Sequence, residues 1–310
     1  MRVVVTDYPW PDLAVERQIL AAAGHELAAG RDVPGTADDI EALVASNDPA
    51  AIMTCWAPLS ARAIAMPADL RIIQRLGVGL DNIDMAGARA RGVLVTNVPD
   101  YCAEEVSDHG VALLLAWARG LAPLDREVKA GVWNPAGASL RRVSSLTVGV
   151  LGYGAIGART AAKAAGLGAR VLVHSRSYRG PLAAGLDALL AASDAVIINL
   201  PLTAETHHLF DDARLARMKP GGLLINVSRG GIVDNAALLR ALQRGHLSGA
   251  GLDVVEGEPD PPAALVGRGD VIVTPHVAFS SPTSIAELRR RASEEVVRVL
   301  AGEPPHHPCA

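Results

Sequence analysis

The chain has 310 residues, half of them hydrophobic and a fifth charged, with a net charge of -4 at neutral pH. That is globular composition with material for two ordinary domains, since single cores rarely grow much past roughly 250–300 residues. Charge without acidic or basic blocks speaks against nucleic acid or an anionic membrane as the main partner.

No apolar run approaches the ~18 residues a transmembrane helix needs, and Met1-Arg2-Val3-Val4-Val5 turns polar too soon for a signal peptide. Cys55, Cys102 and Cys309 are scattered and odd in number. They form neither a disulfide framework nor a metal-ligand spacing, so a cytoplasmic protein without bound metal is expected. His306-His307, in a Pro-rich tail, reads as a frayed end.

In chain order, Val3–Thr6 reads as a strand, Leu13–Ala23 as a helix, and Ala51–Thr54, Arg71–Leu76 and Val93–Thr96 as strands. After Asn97-Val98-Pro99 comes a long apolar helix, about Cys102 to Arg119, then a Gly-, Pro- and Trp-containing loop stretch to about Arg142. A second series follows. It comprises strand Thr147–Leu151, helix Ala155–Leu167, and strands Arg170–His174, Ala195–Leu200, Gly222–Val227, His246–Leu252 and Val271–Thr274. Helix Asp234–Arg244 opens on an aspartate cap, and the last helix opens at Ser281-Pro282 and runs to about Leu300. Strand–helix alternation predicts an α/β fold with parallel sheets. The expected division is a nucleotide-binding domain, 98–280, inserted into a substrate-binding domain made of 1–97 plus 281–310.

Gly152-Tyr153-Gly154-Ala155-Ile156-Gly157 lies between a strand and a helix. There glycines allow a tight turn, close approach of backbone to a pyrophosphate and close helix–strand packing, with N–H groups of the helix end offered to phosphate. At the end of the next strand, where a carboxylate usually meets the adenosine ribose, stands Ser175, beside Arg176 and near Arg179. A hydroxyl next to guanidinium suits a 2′-phosphate, so NADP(H) is expected over NAD(H). Three further strand ends carry Arg229 (in Ser228-Arg229-Gly230), Glu258 (in Asp253-Val254-Val255-Glu256-Gly257-Glu258-Pro259) and His276 (in Thr274-Pro275-His276). An arginine fork can hold a carboxylate, and a histidine beside a carboxylate can move a proton near neutral pH.

Taken with Gly77-Val78-Gly79-Leu80-Asp81-Asn82-Ile83-Asp84 and Leu200-Pro201-Leu202-Thr203, these blocks make the chain resemble the D-isomer-specific 2-hydroxyacid dehydrogenases over essentially its whole length. Asp100-Tyr101-Cys102-Ala103-Glu104-Glu105 and His276-Val277-Ala278-Phe279 look like the branch that contains the C-terminal-binding-protein corepressors. The resemblance implies two doubly wound parallel-sheet domains, a Rossmann domain inserted into a flavodoxin-like one. It implies NAD(P)-linked interconversion of a 2-keto acid and a D-2-hydroxy acid. By matching position, His276 would be the general acid and base, Glu258 its partner and Arg229 the substrate anchor.

The same matching gives Leu200, Pro201, Thr206, Val227, Ser228 and Asp253 to the cofactor, Asp253 at the nicotinamide. Arg75 and the backbone of Val78 and Gly79 would grip the substrate carboxylate. The resemblance also implies a homodimer through Tyr101–Arg142, with Trp117 and Trp133 interfacial. Residues 176–186 are shorter than the family pattern, so the helix and strand usual there are expected to be cut down. A nucleotide-sensing corepressor-like binding protein without significant turnover is the competing reading.

Overall fold

The computed structural model describes residues 1–309. The chain divides into two units, Met1–Tyr101 together with the chain from Ser281 on, and Cys102–Ser280. The first division falls at Tyr101 rather than at 97 because Asn97 and Val98 belong to the first unit's turn. Val98 N–H donates to the Gly77 carbonyl at 3.0 Å, and Asn97 Nδ2 to the Val78 carbonyl at 2.8 Å.

The first unit contains β1 (Arg2–Asp7), α1 (Ala14–Ala22), β2 (Glu26–Arg31), α2 (Ala37–Asn47), β3 (Ala51–Thr54), α3 (Ala61–Ala65), β4 (Ile72–Arg75), α4 (Met85–Ala90) and β5 (Leu94–Thr96). The strands β1, β3 and β4 are short and buried on both faces, as a sheet covered by helices on each side requires, although Thr6, Asp7, Gln74 and Arg75 among them are polar or charged. Their order is β2-β1-β3-β4-β5, all parallel, which is the flavodoxin-like doubly wound arrangement. Ile52, Ile64, Ile73 and Leu59 centre one face of its core. The last helix, α12 (Pro282–Leu300), returns to this unit. Ser281 caps it and Pro282 fills the first turn, where a missing N–H is harmless. A fork from Arg289 to both carboxylate oxygens of buried Glu16, 2.8 Å each, ties α12 to α1.

The described tail after α12, to Cys309, is not frayed. His306 Nδ1 lies 2.8 Å from Glu295 Oε2 on α12, its N–H donates to Glu295 Oε1, and the Cys309 N–H donates to the Val95 carbonyl at 2.7 Å. An ordered acceptor and an open strand edge hold what composition alone marks as loose.

The second unit contains α5 (Ala103–Ala118), α6 (Leu121–Lys129), β6 (Thr147–Leu151), α7 (Ala155–Gly166), β7 (Arg170–His174), α8 (Leu186–Ala192), β8 (Ala195–Ile198), α9 (Asp212–Ala216), β9 (Gly222–Asn226), α10 (Asn235–Gln243), β10 (Leu247–Leu252), α11 (Ala263–Val266) and β11 (Val271–Val273). The strand order is β11-β10-β9-β8-β6-β7, again parallel throughout. Chain order reverses beside β6, and the carboxyl ends at such a switch point form the ligand crevice of open α/β sheets. After β7 the shortened segment makes only an isolated bridge, Val173 to Ala183, before α8 begins, so β7 remains outermost on that side among the described residues. Phe210, Leu190, Leu224, Leu238 and Leu265 are packed in this unit's core. Among the described residues no helix is long and apolar enough to cross a membrane.

Candidate active site

Chemistry gathers just past the carboxyl ends of β9, β10 and β11, three neighbouring parallel strands of the second unit. Arg229 follows β9, Glu258 follows β10, and His276 follows β11. His276 Nδ1 lies 2.8 Å from Glu258 Oε1. An ionised carboxylate only accepts, so Nδ1 carries the proton and the ring's tautomer is fixed. Phe279 meets the His276 ring edge-on at 6.2 Å. Arg229 Nη1 donates to the Ser228 carbonyl, and the Arg229 carbonyl accepts from Asn226 Nδ2, both at 2.8 Å. The strand-end asparagine therefore sets the turn that presents the guanidinium.

The loop carrying His276 is held by Asp253, whose side chain is buried. Asp253 Oδ1 accepts from Thr274 Oγ1 at 2.6 Å and from Val277 N–H at 3.0 Å, and Oδ2 accepts from Ala278 N–H at 2.9 Å. His276 N–H donates to the Asp253 carbonyl at 2.8 Å, with its own φ at 53°, a conformation histidine seldom adopts unsupported. Asp253, expected at the nicotinamide, holds the loop of His276 through these bonds. His109 on α5 extends this network. Thr274 has given its one hydroxyl proton to Asp253, so His109 Nε2, 2.9 Å away, is the donor to Thr274 Oγ1. Nothing in the local sequence marks His109, because its partner lies 165 positions away.

The glycine turn fits a dinucleotide. Gly152 has φ of 89°, and a Cβ there would sit 2.1 Å from the Asn199 carbonyl oxygen; one on Gly157 would sit 2.1 Å from the Gly152 carbonyl. Both positions admit only glycine, whereas a Cβ on Gly154 would meet nothing within 4 Å, which leaves open space before the first turn of α7. Gly154 caps α7 without a side-chain bond, so phosphate oxygens suit the N–H groups of Ala155, Ile156 and Gly157. The buried Asn199 Oδ1 beside this turn has no partner among the described residues.

Around the turn, Leu200 packs partly into the core, Val227 is buried, and Ser228 Oγ donates to the Ile198 carbonyl at 2.7 Å. Thr206 Oγ1 donates to the Pro201 carbonyl at 2.7 Å and accepts from Thr203 N–H at 2.8 Å, which folds that loop upon itself. Past β7, the Tyr153 and Tyr178 rings lie 4.1 Å apart, and burial together with Tyr178 pushes the Tyr153 phenol up. Arg179 turns back onto the carbonyls of Arg176, Tyr178 and Ser175, so of the two arginines expected at a 2′-phosphate it is committed to its own loop. Arg176 is 86% exposed and points to Glu205 at 3.5 Å.

In the first unit, Val78 and Gly79 follow β4 on the turn pinned by Asn97 and Val98, with Val78 exposed. Arg75 is only 6% exposed, its Nη1 donates to the Leu76 carbonyl, and its buried Nε has no partner among the described residues. This guanidinium lies against its own turn, beside Cys55, whose thiol burial pushes up to about 12 despite the neighbouring charge. Arg75 thus reads first as a brace of the Leu76–Gly77 turn.

The family model described as D-isomer specific 2-hydroxyacid dehydrogenase, NAD binding domain, matches residues 111–278. The chain is 39% identical over 252 residues to D-3-phosphoglycerate dehydrogenase of Mycobacterium leprae, covering 79% of the chain and 48% of that protein. It is 37% identical over 260 residues to glyoxylate reductase of Korarchaeum cryptofilum, covering 80% and 78% respectively. The chain spans about half the length of the mycobacterial relatives it matches. Among solved structures, it is similar to the NADPH-dependent glyoxylate/hydroxypyruvate reductase of Sinorhizobium meliloti in complex with NADP and malonate. The TM-score is 0.84 at 31% identity, over 100% of this chain and 96% of that one.

Proposed function

The chain belongs to the D-isomer-specific 2-hydroxyacid dehydrogenases, and from that premise we propose that it interconverts a 2-keto acid and the D-2-hydroxy acid, using a nicotinamide dinucleotide. The observation that carries this reading is the 2.8 Å His276–Glu258 pair on strand ends adjoining that of Arg229. When bound, the cofactor supplies the hydride in reduction and takes it up in oxidation. Reduction of a keto carbon builds negative charge on its oxygen, so a proton donor and a fixed cation are what the protein has to provide. Glu258 holds Nδ1 of His276, and proton transfer to or from the substrate oxygen falls to Nε2. Arg229 offers a planar fork that matches the substrate's carboxylate and carbonyl. Gly152–Gly157 and the first turn of α7 would hold the pyrophosphate.

Within this reading NADP(H) is favoured. Ser175 places no carboxylate where a 2′-phosphate would lie, and exposed Arg176 supplies the nearby cation, with Glu205 as its competitor. The S. meliloti enzyme is described as NADPH-dependent. A homodimer is part of the proposal. No residue of helix α6 is fully buried, and Leu121, Val128, Val132, Trp133 and Leu140 are exposed, Trp133 by 83%. Such a patch suits a second copy of the same surface. The other expected interface aromatics are spent internally, since Tyr101 is buried, and Trp117 donates to Ser248 Oγ at 3.0 Å under the Arg141 guanidinium.

A panel of 2-keto acids assayed with NADH and with NADPH tests the proposal. Turnover of at least one that His276→Asn lowers by roughly 10²–10⁴-fold is expected, and no oxidation of either cofactor across the panel would refute it.

A further inference from the structure

Away from the His276–Glu258 pair, the second unit assembles another cluster of donor atoms. His207 and His208 lie on the connection from β8 to α9, and Glu256 lies just past β10. His208 Nε2 is 2.9 and 3.0 Å from the two Glu256 oxygens, and His207 Nε2 is 3.7 Å from Oε1. The two imidazoles stack at 4.0 Å with 25° between their planes, and one ligand atom from each of the three residues lies within 4.8 Å of the others.

One histidine already satisfies the carboxylate, so the second needs its own explanation. Imidazole nitrogen is the commonest side-chain metal ligand, and here two stacked rings face one carboxylate. Bonds of about 2.0–2.2 Å around a tetrahedral ion put ligand atoms about 3.4 Å apart. The observed 2.9 and 3.7 Å contacts straddle that spacing, and His207, half exposed, can rotate to close the remainder.

We propose that His207, His208 and Glu256 bind one borderline-soft divalent cation of the Zn2+ class. Two imidazoles and a carboxylate select such an ion over Mg2+ or Ca2+, which prefer all-oxygen sites. Water fills the open position. Backbone contacts fix both halves of the cluster, since His208 N–H donates to the Gly231 carbonyl and Asn235 Nδ2 to the Glu256 carbonyl, both at 2.8 Å. An ion here staples the loop before α9 to the segment after β10, across the turn that follows Arg229. The inference goes beyond the dehydrogenase reading and does not depend on it.

The test is Zn2+ titration of chelator-treated full-length protein by calorimetry, together with thermal unfolding. Wild type should show one saturable site whose filling raises Tm. Loss of an outer partner of a metal costs roughly 10–100-fold in affinity, so His207→Ala, which removes a direct ligand from a half-exposed position, should weaken this site at least tenfold and abolish the Tm rise. Glu256→Gln should do the same, and if that variant fails to fold, His207→Ala decides alone. His276→Asn should keep the site, which separates it from Zn2+ bound at the His276–Glu258 pair. Absence of a saturable site in wild type, or equal affinity in His207→Ala, overturns the proposal.

Discussion

Replacing Asp253 with Asn tests whether a buried carboxylate acts by holding the loop that carries His276. The native side chain accepts three hydrogen bonds, from Thr274 Oγ1, Val277 N–H and Ala278 N–H. An amide has one acceptor oxygen. If that oxygen stays at the Oδ1 position, it keeps the first two, and the amide NH2 then faces the Ala278 N–H, donor against donor. A lost charge-assisted bond is worth about 1.5–3 kcal/mol, and a buried unsatisfied donor adds about 1–3 kcal/mol. Partial relaxation leaves about 2–4 kcal/mol. For a unit of this size each kcal/mol moves Tm by about 2–4 °C, so a fall of roughly 5–15 °C is expected. The imidazole loses its placement with the loop, and a 1 Å displacement costs on the order of 10²-fold in rate. Turnover should fall by about that factor while cofactor Kd stays within about threefold. Differential scanning calorimetry, cofactor titration by fluorescence and steady-state absorbance kinetics supply the three numbers. Unchanged Tm and turnover with a much weakened cofactor Kd would refute the reasoning and return Asp253 to the nicotinamide.

His276→Asn should lower turnover by roughly 10²–10⁴-fold with cofactor affinity retained; turnover equal to wild type in steady-state assays would exclude the ring from proton transfer. Arg229→Lys keeps charge but loses the fork, so kcat/KM for the best keto acid should drop about ten- to hundredfold; an unchanged value places the substrate carboxylate elsewhere. Ser175→Asp should turn the cofactor preference toward NADH and Arg176→Ala should erase most of an NADPH advantage, measured as the ratio of kcat/KM values. A wild type that prefers NADH and ignores Arg176→Ala removes the phosphate reading. Trp133→Ser combined with Leu121→Ser should convert a dimer to monomer in sedimentation velocity, and a wild type monomeric at micromolar concentration rules the patch out as a dimer contact.

The grouping of Arg229, Glu258 and His276 is legible in the sequence because each stands a few positions beyond a strand, and parallel strands bring their carboxyl ends to one edge; the roles proposed for them come from the family resemblance. The glycine turn is legible for the same local reason. What the sequence conceals is either half-buried or tertiary. Strand β2, Glu-Leu-Ala-Ala-Gly-Arg, lacks β-branched residues and is half-exposed along most of its length, so no apolar run announces it. Helix α6 hides in a stretch that reads as loop, although Gly120 caps it and Pro123 sits in its first turn, where no N–H is needed. Helix α2 does carry a local signal, the reciprocal capping box of Thr36 and Asp39, but no strong apolar stripe beside it. The bonds from Asp253 to the His276 loop, and the reach of His109 to Thr274, depend on how strands and α5 pack, which no window of sequence encodes.

The docked tail bears on how the first unit's sheet ends. An outermost strand presents a row of backbone donors and acceptors that invites another chain to pair with it. Strand β5 is three residues long, and the segment around Pro308 and Cys309 lies antiparallel along it, occupying the Val95 carbonyl and bridging Thr96. Proline has no N–H to give to a further strand, so the pairing pattern is interrupted at the point where the sheet could otherwise grow. The clasp between His306 and Glu295 keeps that seal in place. Loosening it would bare the β5 edge to neighbouring molecules, so the tail acts as a barrier to strand-by-strand self-association.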